Sequence, residues 1–402
     1  MPGDCAGFSE ACLTSTRSLA AFFFAYFAAV GVFEPFLTPW WRQIGFSPVE
    51  IGALSAIAPG VACIAPFLWT AYADATRQGR RIVRVNSWVA ALAALLLPFL
   101  PWPPAAALAL LLFAVVRAPL IPLANAMTFQ ALEGRRQAYA TIRLWGTVGY
   151  ILIALLAGGA VDRLGLRPTL LGAAVALGAC GAIAWRSRGR EVQLPPIRLA
   201  DTLSSLGDRR LLLLLAAAGL SWMSYGPYAA FYTMYLDTLG YSRSFAGLAW
   251  AVAASSELLV MLLWSRLAPR CSSRTWFLTG LAAGPLRWLL AAAASGAPLL
   301  LLAQCLHAGS FGIFYLAAVE RVDALARPGL RATTQGLFAA VTFGIGGLLG
   351  SLLGGWLYEP LGMRRLFLLT AAISAAAALL YWAGTRRDRS EGLGALTDGV
   401  AP

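Results

Sequence analysis

Long apolar runs separated by short polar breaks run the length of the chain, and they set its elements. Leu19 to Trp41, Leu211 to Leu236 and Thr333 to Leu357 are long enough to cross about 30 Å of hydrocarbon. No water is available there to satisfy backbone amides, so such runs must be helices. The same pattern predicts helices over 18–41, 48–73, 82–100, 104–129, 138–161, 168–185, 211–236, 245–265, 275–295, 298–319, 333–358 and 365–384. Glycine and proline within these runs do not argue against helix, because packed membrane helices tolerate both. The expected fold class is an all-α membrane protein with twelve transmembrane helices.

The longest polar stretch, Arg186 to Arg210, contains Pro195 and Pro196 and reads as a linker between two six-helix bundles. The expected organisation is a tail over 1–16, a first bundle over 17–186, a linker over 187–208, a second bundle over 209–385 and a tail over 386–402. The bundles repeat one another. At an offset of 195, Gly31, Phe36, Thr38, Gly45, Ser47, Gly52, Leu68 and Trp69 meet Gly226, Phe231, Thr233, Gly240, Ser242, Gly247, Leu263 and Trp264. At an offset of 197, Gly149, Gly158, Asp162, Gly165 and Arg167 meet Gly346, Gly355, Glu359, Gly362 and Arg364. Parallel repeats about an axis along the membrane normal are a transporter architecture, with the binding site between the halves near mid-membrane.

Composition agrees: the chain is 59% hydrophobic and 12% charged, against roughly 25% charged for a soluble domain. The net charge of +13 suggests nucleic acid, and its distribution excludes it. Every basic residue is Arg. Six (Arg42, Arg163, Arg167, Arg243, Arg364, Arg365) fall in the loops of one side and three (Arg117, Arg143, Arg287) inside apolar runs. The rest fall on the other side, which the positive-inside rule makes cytoplasmic, with both termini there and the protein in a bacterial inner membrane. The first helix is too long for a signal-peptide core. The six cysteines form no CxxC pair and read as small apolar residues, not as a metal site or disulfide framework.

Three stretches resemble a known family. The first helix reads Phe22-Phe23-Phe24-Ala25-Tyr26-Phe27 and later Gly31-Val32-Phe33-Glu34-Pro35-Phe36. The fifth opens Tyr139-Ala140-Thr141-Ile142-Arg143-Leu144-Trp145-Gly146, and the eleventh contains Thr342-Phe343-Gly344-Ile345-Gly346-Gly347. These resemble the phenylpropionate-permease branch of the major facilitator superfamily, related to the lactose permease family, over nearly the whole chain. The resemblance implies the major facilitator fold of two pseudo-symmetric six-helix bundles. It also implies that Arg143 faces substrate, with Tyr150 seven residues on as a stacking ring. Glu257, in Ser256-Glu257-Leu258-Leu259, matches the acid of the substrate and proton site; Arg287 and His307 fall where that family has an Arg and a His. There are departures: Asn125 replaces a fourth-helix Glu, Ser310 a tenth-helix Glu, and Gly226 and Ala229 stand where seventh-helix aspartates occur. Lactose specificity and its proton circuit therefore do not carry over. The loop Asp74-Ala75-Thr76-Arg77-Gln78-Gly79-Arg80-Arg81 resembles the superfamily's Asp-x-x-Gly-Arg-Arg signature, with two extra residues before Gly79.

An ionisable group inside a membrane costs about 3 to over 10 kcal/mol, so each is a functional candidate. Here they are Glu34, Arg117, Arg143, Glu257, Arg287 and His307. Arginine does not deprotonate, so each needs a carboxylate or an anionic substrate. Three arginines against two glutamates leave one cation short, which favours carboxylate substrates. The expected substrate-binding residues are Arg143, Tyr150, Trp145, Asn125, Glu257 and Arg287. Proton coupling falls to Glu34, Glu257 and His307, and a cytoplasmic gate to Asp74, Arg80 and Arg81, whose arginines serve equally as topology charges. Each has a structural alternative, an ion pair or a packing residue. The expected activity is proton-coupled symport of a small organic solute, an aromatic carboxylate among the options, by a monomer with no cofactor. Efflux on the same fold and a ligand sensor without flux are the alternatives. The sequence carries no HExxH, GxSxG or phosphate loop to equip an enzyme, and no filter-like loop to make a channel.

Overall fold

The computed structural model describes residues 5–132, 138–187, 207–327 and 330–386, with side chains from Thr16 onward except at positions 66, 67, 70, 74 and 138. Among these residues there are helices and turns and no strand. The helices are α1 Cys5–Gln43, α2 Pro48–Thr76, α3 Gly79–Leu96, α4 Pro103–Arg117, α5 Leu120–Ala131, α6 Ala138–Leu164 and α7 Leu166–Arg186. They continue as α8 Arg209–Thr238, α9 Arg243–Leu267, α10 Ser273–Ala293, α11 Ala297–Cys305, α12 Phe314–Leu325, α13 Arg331–Ala339 and α14 Gly347–Gly384. Two π turns, Ala308–Ile313 and Ala340–Gly346, join α11 to α12 and α13 to α14.

Ten spans among the described residues are long and apolar enough to cross a membrane. One of them, Arg331–Gly384, is divided at Gly362, whose φ of 67° and ψ of 160° are not helical. The 21-residue α10 is outside the ten, being less apolar with Arg287 in its middle. The expected linker falls largely on residues 188–206 and the expected second tail on 387–402, both outside the described residues.

Local rules start and stop these helices. Ser47 and Glu50 form a capping box at the start of α2: the Glu50 amide donates to Ser47 Oγ at 3.3 Å and the Ser47 amide to Glu50 Oε2 at 2.8 Å. Ser242 and Ser272 cap α9 and α10 in the same way, with one bond each. Among the described residues, the four glycines of positive φ are Gly45, Gly165, Gly240 and Gly362. They are the loop glycines matched by the two repeat offsets, so the turns of the two halves share a backbone conformation that other residues resist.

Two expectations are corrected. α1 begins at Cys5, inside the stretch read as a tail, since residues 5–18 hold one glycine and no proline to stop a helix. The fourth, tenth and eleventh crossings are not continuous α-helices; Ala118 and Pro119 separate α4 from α5, and the π turns interrupt the other two.

α1 packs on α6 and α7, and α8 on α14; α2 meets α14 and α6 meets α9 across the two halves. Small residues permit these approaches. A Cβ on Gly226 of α8 would lie 2.6 Å from the Gly350 Cα of α14, and one on Gly52 of α2 2.6 Å from the Gly355 Cα. Overpacking such a seam costs about 1–3 kcal/mol. Gly226→Val should therefore lower the thermal unfolding midpoint in detergent by several degrees, whereas Gly172→Val, where a side chain meets open space, should leave it unchanged.

Candidate functional site

A buried arginine organises the centre of the second half. Arg287 on α10 is 1% exposed. Its Nη2 donates to Gln304 Oε1 of α11 at 3.1 Å, and its Nη1 to His307 Nδ1 at 2.9 Å and Ser310 Oγ at 3.4 Å. Tyr228 of α8 donates to the same Gln304 oxygen at 2.7 Å. The guanidinium lies 4.4 Å over the Tyr228 ring and 4.6 Å over that of Trp288, a cation–π setting that partly replaces lost hydration. Its Nε has no partner. All these partners are neutral. The carboxylate of Glu257 on α9 is reached only through the imidazole, with His307 Nε2 at 3.7 Å from Glu257 Oε2.

The chemistry of the pair assigns the histidine. Arginine has only donors, so His307 Nδ1 must accept, and the ring hydrogen sits on Nε2, facing Glu257. His307 is thus a neutral link between Arg287 and Glu257, not a second buried cation. The π turn that begins after His307 sets this geometry. Its wide turn holds Ser310 against Arg287 and stacks Phe311 on His307, with ring centroids 5.2 Å apart.

The first half brings its own ionisable groups toward this network. Glu34 of α1 is hydrogen-bonded to Tyr150 of α6 and faces Arg117 as its cation. Tyr150 in turn neighbours Tyr225 and Tyr228 of α8. Arg143, four residues into the described side chains of α6, lies 4.1 Å over Phe27 and 5.4 Å over Phe23 of α1. Its surrounding polar groups are Tyr139, Glu257, Tyr315 and Tyr26, so it looks at the second half. Glu257 senses both Arg143 and Glu34. Tyr139 donates to Asn125 at 3.0 Å and stacks on Phe129 at 4.4 Å. Aromatic rings complete the wall: Trp222 stacks on Tyr225 at 4.5 Å and meets Phe343 at 4.8 Å and Phe311 at 5.3 Å.

Thus Glu34, Tyr150, Arg143, Glu257, His307 and Arg287 form one network of interacting groups between the two halves, with Asn125 joined to it through Tyr139. Trp145 is not part of it. It is 49% exposed, on the outward stripe of α6 that carries Leu152 and Leu156, because it sits about 200° around the helix from Arg143. The expectation of Trp145 as a cavity wall is corrected accordingly. Of the expected gate residues, Arg80 is buried and donates to Ser187 beyond the end of α7 at 3.2 Å, and Arg81 to Gln78 at 3.1 Å. These bonds stay within the first half, and the Asp74 side chain lies outside the described ones. Gln304 and Tyr228 were missed in the sequence. Gln304 stands three residues before His307 on one helix face, a spacing that could have flagged it.

A cavity of about 1140 Å3 lies elsewhere: a lateral groove between α2, α3, α4 and α14, lined by Ile64, Leu68, Leu111 and Leu348. Ile64 and Leu68 are exposed along it, and it holds none of the membrane-buried charges, so it is not the site. No group of His, Cys, Asp and Glu among the described residues could hold a metal ion.

Comparisons with known proteins show the family and the fold. The model of the MFS_1 like family matches residues 16–369. The Probable 3-phenylpropionic acid transporter of Escherichia coli (strain K12) is 29% identical over 381 residues, covering 92% of this chain and 97% of that protein. The maltose permease of Geobacillus stearothermophilus is 24% identical, covering 92% and 95%. The crystal structure of the nucleoside transporter NupG superposes with a TM-score of 0.84 at 19% identity, covering 92% of this chain and 98% of that one, which shows the shared fold.

Replacing Gln304 by Leu strips an acceptor from both Arg287 and Tyr228, and each buried donor left unsatisfied costs about 1–3 kcal/mol. Gln304→Leu should markedly lower the unfolding midpoint in detergent, while Trp145→Leu should shift it little.

Proposed function

The chain belongs to the MFS_1 like family, as a multi-pass secondary transporter on the major facilitator fold and not an enzyme, and from that premise we propose that it moves a small aromatic carboxylate across the bacterial inner membrane together with protons. The observation that carries this reading is Arg287. A guanidinium sealed in the protein, with neutral partners and an unpartnered Nε, has an incomplete charge balance. A substrate carboxylate approaching through the polar lining would complete it, and Arg143 offers a second cation at the other side of the space. The Trp222, Tyr225, Phe311 and Phe343 cluster suits an aromatic ring, and a relative named for 3-phenylpropionic acid supports the same substrate class.

Protons enter through the carboxyls. In this reading Glu257 holds Arg143 and His307 while ionised; protonation releases both, and arrival of the anion restores the balance. Glu34 on Tyr150 serves the first half in the same way. The two bundles, 17–186 and 209–385, then rock about the site by alternating access, with twelve crossings once Arg331–Gly384 is divided at Gly362 and α10 is counted. The arginine distribution supports cytoplasmic termini and puts Arg42, Asp162, Arg243 and Glu359 at the outer end.

Proteoliposomes test this directly. Uptake of labelled 3-phenylpropionate should accelerate when the outside is made acid relative to the inside, and collapse with a protonophore. Arg287→Lys should lower uptake at least about tenfold, because a point charge does not reproduce the fork held by Gln304 and His307. Uptake blind to the gradient, or unchanged by the substitution, would reject the reading. Glu257→Gln should lose gradient-driven accumulation while keeping exchange of internal for external substrate; loss of both would remove Glu257 from the coupling role.

A further inference from the structure

At the expected outer end, the two halves are joined by a carboxylate that caps a helix of the opposite half. Asp162 near the end of α6 accepts the Arg243 amide through Oδ1 at 3.0 Å and the Ser244 amide through Oδ2 at 2.9 Å, and it also accepts the Ser244 hydroxyl. Arg243 and Ser244 are the first two residues of α9, so these are amides that no helix can satisfy internally. A negative charge there is also favoured by the helix dipole. Small residues bring the elements this close: a Cβ on Gly158 would lie 2.6 Å from the Arg243 carbonyl oxygen, and Gly247 packs on Ala154.

The repeat shows that this bond is particular to one side. At the 195 offset, Pro48, Val49 and Glu50 are the counterparts of Arg243, Ser244 and Phe245. In the first half, Pro48 has no amide hydrogen to give, and Glu50 closes a capping box with Ser47, so the start of α2 is self-sufficient. In the second half, Phe245 cannot close such a box, and the open amides are taken by Asp162. Its own counterpart, Glu359 at the 197 offset, lies one turn beyond Gly355, which packs on the start of α2, yet among the described residues it bonds no amide there. It reaches Arg42 at 3.8 Å, with both side chains at least half exposed, a pair of little energetic worth.

We propose that Asp162 is the latch of the outer gate: its bonds to the start of α9 hold the α6–α9 side shut in the conformation seen here and must break before the cavity opens outward, while the α2–α14 side carries no such bond. This inference rests on the alternating-access reading, and it adds a gate residue to the expected Asp74, Arg80 and Arg81, placed at the opposite end and between the halves.

The test uses the full chain in liposomes, its native cysteines replaced and nitroxide labels at Leu164 and Leu239. These two exposed positions lie at the outer ends of the two halves. Double electron–electron resonance gives the populations of short and long separations. Asp162→Asn, which keeps one acceptor but loses the charge, should raise the long-separation population about threefold or more, and Asp162→Ala further. Ser244→Ala should move it in the same direction, and Glu359→Gln should leave it at the parent value. An unchanged population in both Asp162 variants overturns the latch, as does an equal response to Glu359→Gln. If the Asp162 variants shift the population while the parent carries no 3-phenylpropionate, the latch stands and the substrate reading falls. A parent with both separations and normal flux, unaffected by Asp162→Asn, leaves transport standing and removes the latch.

Discussion

A guanidinium cannot shed its charge and cannot rest in hydrocarbon, and the interior of this protein is arranged around that constraint. Arg287 is sealed among a glutamine, a neutral imidazole, a serine and three aromatic faces. Arg143 lies on Phe27, and Arg117 near Phe113 and Tyr26, with Glu257 the carboxyl that acts on the first and Glu34 on the second. Aromatic rings and amides soften the cost of burial, but they do not cancel a charge. The two glutamates face these cations between the halves, and in the proposed function the positive charge left over is what an anionic substrate would meet.

The ionisable groups carried inside the helices were legible because charge inside an apolar run is rare in any sequence. The helix spans were legible for the same reason, as was the repeat, down to the loop glycines whose positive φ recurs in both halves. Side-chain direction on a helix was less so. Trp145 is two residues from Arg143, and a helix turns about 200° in that distance, so proximity in sequence put it on the opposite face. Gln304 went unremarked because an uncharged amide in a membrane helix gives little compositional signal, although it is the hinge of the arginine network. The interruptions of the tenth and eleventh crossings were not legible either, since π turns arise from packing as much as from residue type.

The repeat also shows how one scaffold acquires unequal sides. The first half closes the start of α2 with residues of its own, Ser47 and Glu50, whereas the second half leaves the start of α9 to a partner. The difference traces to two positions: a proline against an arginine, and a glutamate against a phenylalanine. Symmetry of fold therefore does not imply symmetry of bonding between the bundles.

The π turns have a further meaning for that symmetry. The register between the halves grows from 195 to 197 between Trp264 and Gly346, and two π turns lie in that interval, each holding one residue more than an α turn. The π turns together add two residues, while the loops also differ in length between the halves: 77–78 joins α2 to α3, whereas 268–272 joins α9 to α10. Inserted into an ordinary helix, one residue would swing everything beyond it by about 100° and turn inward-facing side chains toward lipid. Taken up as a bulge, it leaves the downstream faces in phase. A residue-by-residue alignment of the halves must therefore allow gaps inside these helices as well as in the loops between them.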